Sequence, residues 1–63
     1  MNALEVLTEK IQGDITSRQA AIAGGAAKDF ADYREQVGVL RGLHHALAHV
    51  KDLSRAYLDG DDE

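Results

Sequence analysis

The side chains best suited to chemistry are three histidines and one carboxylate in the second half of the chain. His45 and His49 lie one helical turn apart, and Asp52 follows three residues later on the same face. Two imidazoles and a carboxylate are a donor set that can hold a divalent metal. No acid follows His45 directly, so this is not the H-E-x-x-H arrangement of a metalloprotease. A metal site also needs outer groups that orient its ligands, and so short a chain has few to offer. The pair therefore reads as solvated or interface histidines, with no metal and no cofactor expected. Catalysis has less support. Thr8, Thr16, Ser17 and Ser54 are the hydroxyls available, and none has a neighbourhood that would activate a nucleophile. The expected function is non-enzymatic.

Two helices must position these residues. The chain has 63 residues, with no cysteine and no proline. Ala, Leu, Glu, Lys, Gln and Arg favour helix. Asn2 can cap the first helix, with Glu5 reaching back as in a capping box and Met1 and Val6 placed for a hydrophobic staple. Leu4, Leu7, Ile11, Ile15 and Ile22 form one stripe, with Arg18 at its edge. Gly24 and Gly25 then mark a turn, because glycine enters the left-handed conformation without steric cost. Asp29 can cap the second helix, with Asp32 in its first turn. Its apolar face reads Tyr33, Val37, Leu40, Leu43, Leu47, Val50 and Leu58, bordered by His44 and Ser54.

The expected fold is all-α: an antiparallel two-helix hairpin, about 2–23 and 29–58, with a short Gly-Gly turn and an acidic tail at 59–63. At 1.5 Å per residue the helices would be roughly 30 and 45 Å long. The second overhangs the first, so Leu53, Tyr57 and Leu58 should lack partners within the hairpin.

Gly38 and Gly42 point away from the aliphatic stripe, on the side of Ala31, His45, His49 and Ala56. Each costs a helix about 1 kcal/mol relative to alanine. A bare face of this kind allows another backbone to approach closely. Partner-binding residues are therefore expected at Gly38, Gly42, His45, His49, Leu53, Tyr57 and Leu58. Size argues the same way. Below roughly 70–80 residues one core rarely supplies more than about 3–5 kcal/mol. Without a disulfide or zinc site, docking on a partner or oligomerisation is the staple that remains.

Charge excludes other classes. Of eleven acidic residues, four lie in the tail, leaving seven acidic against seven basic side chains in residues 1–58. No basic patch suggests nucleic acid, and no apolar run approaches the ~20 residues of a membrane span. The N-terminus lacks the basic start and apolar core of a signal peptide, so the default compartment is cytoplasm.

The run Gly24-Gly25-Ala26-Ala27-Lys28-Asp29-Phe30-Ala31-Asp32-Tyr33-Arg34, followed by Val37-Gly38-Val39-Leu40-Arg41-Gly42-Leu43, resembles small proteins encoded among the head and tail morphogenesis genes of tailed bacteriophages. In these a glycine-containing turn precedes a "DF–DYR" start and a "G–(I/L)RGL" helix. The similarity runs from the turn to near Leu53. It implies a virion structural or assembly role: a small helical piece, present in many copies on a symmetric particle, attached to the portal, head–tail connector or capsid and assembled in the host bacterial cytoplasm. It implies no catalytic residues, and the histidines lie outside the pattern. From the residues alone, a second class stays open: a small acidic regulatory adaptor that binds a host or phage protein through residues 59–63 in a salt-sensitive way.

Overall fold

Asn2 starts the first helix as the sequence expects. Its side-chain oxygen accepts from the Glu5 amide at 2.8 Å, and the Glu5 carboxylate accepts from the Asn2 amide at 2.9 Å. This reciprocal pair satisfies two amides that a helix start would otherwise leave bare. In the computed structural model, which describes the backbone of residues 2–59 and the side chains of 2–57, α1 runs Ala3–Ala23 and α2 runs Phe30–Asp59. Met1, the other half of the expected staple, lies outside the described residues, as do Gly60 and the rest of the acidic tail.

The turn between the helices is a Schellman motif. The Gly25 amide donates to the Ile22 carbonyl at 3.1 Å and the Ala26 amide to the Ala21 carbonyl at 3.0 Å. These are the five-to-two and six-to-one bonds that close a helix C-terminus. Of the two glycines, Gly25 holds the left-handed conformation, at φ +85°. Asp29 then caps α2: its carboxylate accepts from the Asp32 amide at 2.8 Å, and Asp32 accepts in turn from the Lys28 amide at 2.9 Å.

The helices pack against each other along a narrow seam. On α1 the residues withdrawn from solvent are Leu4, Thr8, Ile11, Ile15 and Ile22; on α2 they include Gln36, Leu40, Leu43, Leu47, Val50 and Ser54. Spacings of four and three alternate along α2, and on α1 they run four, three and four before a step of seven that passes over the exposed Arg18; this is the repeat of helices meeting edge to edge. Here the structure departs from the expected stripe. Leu7 is 42% exposed, and Thr8 takes the inner position. Thr8 can sit there because its hydroxyl donates to the Leu4 carbonyl at 2.8 Å, so its polar atom is satisfied within the helix. Tyr33, placed on the inner face by periodicity, is 44% exposed.

Ile15, at 6% exposure, is the single buried hydrophobic residue among those described. The accessible surface is 4746 Å². A compact monomer of 6.8 kDa would expose roughly 4,000 Å². The radius of gyration is 15.0 Å, against about 10.6 Å for a compact domain of this length. The hairpin is a thin rod, and most of each helix faces outward.

Ile15→Ala should cost about 2–5 kcal/mol, comparable with the whole stability of so small a core. Helical circular dichroism at room temperature should fall sharply, while Val6→Ala, outside the seam, should leave it within about 0.5 kcal/mol of the parent. Gly25→Ala should raise the helix-coil midpoint of neither helix and instead destabilise the hairpin by about 1–2 kcal/mol, through the left-handed backbone it must hold.

Candidate docking surface

Four of the expected partner-binding positions, Gly38, Gly42, His45 and His49, lie on the free side of α2 and are exposed. A Cβ built on Gly38 or Gly42 would meet nothing within 4 Å. The two glycines thus have no role in packing α2 on α1. They leave a bare strip of backbone on the side turned away from the hairpin.

Leu53 and Tyr57 stand at the open end, where α1 begins. They are 54% and 68% exposed. With Asn2, Ala3 and Leu4 they line a shallow groove of about 370 Å³. The overhang expectation is modified here. The first turn of α1 reaches Leu53 and Tyr57, so these residues flank it rather than project past it. They stay exposed because one helix covers only one side of them. The backbone at Leu58 is helical, but its side chain lies outside the described residues.

The side chains with chemical potential do not converge. Among the described residues, no three His, Asp or Glu side chains come together in a way that could hold a metal ion. Asp52 lies 3.7 Å from the Arg55 guanidinium, with both side chains 72% exposed. Such a pair contributes little to stability, because solvent screens it. Thr8 spends its hydroxyl on its own helix. His44 and His45 border a second shallow depression, of about 250 Å³, together with Val37, Leu40 and Arg41. No helix among the described residues is long and apolar enough to cross a membrane.

Periodicity missed one feature. Phe30 and Tyr33 stack at the start of α2 with ring centroids 6.4 Å apart and planes inclined by 24°. Phe30 is 72% exposed. The i,i+3 spacing of two aromatics could have signalled the pair. Val39, also outside the expected face, is 41% exposed.

No family model, curated protein or solved structure matches the chain.

Truncating an exposed side chain removes little internal packing. Leu53→Ala and Tyr57→Ala should each change the unfolding free energy by less than about 1 kcal/mol, well below Ile15→Ala. Denaturant titrations of the three variants side by side would check this. A loss at Tyr57 as large as at Ile15 would assign Tyr57 to the hairpin's own core.

Proposed function

We propose that this chain is a non-enzymatic assembly piece of a tailed-phage particle, docking on the portal, head–tail connector or capsid in multiple copies. The observation that carries the docking half of this reading is the imbalance, among the described residues, between one buried side chain and the apolar surface left open. Val6, Leu7, Val39, Leu53 and Tyr57 all remain more than a third exposed. A surface of that kind is a liability in a free monomer and useful in an assembly. The phage half rests on the run from Gly24 to Leu43 and its similarity to small morphogenesis-cluster proteins. Among the described residues, the two grooves lined by Leu53 and Tyr57 and by His44 and His45 are shallow and open rather than enclosed as ligand pockets usually are.

In this reading two surfaces meet neighbours. The bare strip at Gly38 and Gly42, with His45 and His49 beside it, lets another helix or strand approach the α2 backbone. The Leu53 and Tyr57 groove supplies the apolar anchor that interfaces commonly centre on.

The test is co-purification with intact particles, quantified as copies per particle. The Gly38→Leu, Gly42→Leu double variant should be lost from particles. It should also be more helical than the parent, since each exposed glycine costs its helix about 1 kcal/mol and both positions have room for a side chain. Loss of docking with a gain in helicity cannot be a folding defect. Retention with unchanged stoichiometry would remove the glycine strip from the interface. Dependence on residues 59–63 instead, with strong salt sensitivity, would favour the acidic adaptor.

A further inference from the structure

We draw no further inference here: the strongest candidate, the exposed apolar surface patch along the hairpin at Leu7, Val39, Leu53 and Tyr57, carries none because nothing in the structure shows what covers it.

Discussion

Everything in this molecule depends on one seam between two helices, and that seam is only one residue deep. Ile15 is the buried side chain among those described, and its neighbours along the seam are half-covered. A helix that packs on one partner can bury only the stripe facing it. Two helices therefore make a line of contact instead of a core, and no rearrangement of apolar residues within the hairpin could change that. The low burial is a property of the architecture, and it sets the small stability such a chain can have by itself.

Because the seam contributes so little, the ends of the helices carry unusual weight. Asn2 and Glu5 close the start of α1, Gly25 and Ala26 close its end, and Asp29 with Asp32 closes the start of α2. Each device satisfies backbone groups that packing cannot reach. Their combined effect is to keep the turn short and the two helices antiparallel, and only then can the four-and-three spacing of one helix meet that of the other.

The same thinness accounts for the outer surface. With one neighbour apiece, the helices leave Leu7, Val39, Leu53 and Tyr57 uncovered, and they leave Gly38 and Gly42 facing open space. In a larger domain, residues like these would be inside. Here they leave an exposed apolar set and a bare glycine strip, while among the described residues no three His, Asp or Glu side chains gather into a metal site.

The sequence by itself determined the helices, their caps and the antiparallel turn, because these rest on local physics: a capping side chain three residues from its target, a glycine where φ must be positive, an apolar repeat near one turn. Helix bounds at 2–23 and 29–58 fell within a residue of Ala3–Ala23 and Phe30–Asp59. The outward direction of Gly38 and Gly42 was legible for the same reason, since a wheel orders directions around one helix. The tertiary structure decided what depends on the second helix. It turned α1 so that Thr8, with its hydroxyl satisfied internally, entered the seam and Leu7 did not. It set Leu53 and Tyr57 beside the first turn of α1 as the wall of a groove. A wheel weights residues by hydrophobicity alone, whereas the packed register follows the four-and-three spacing that both helices can share.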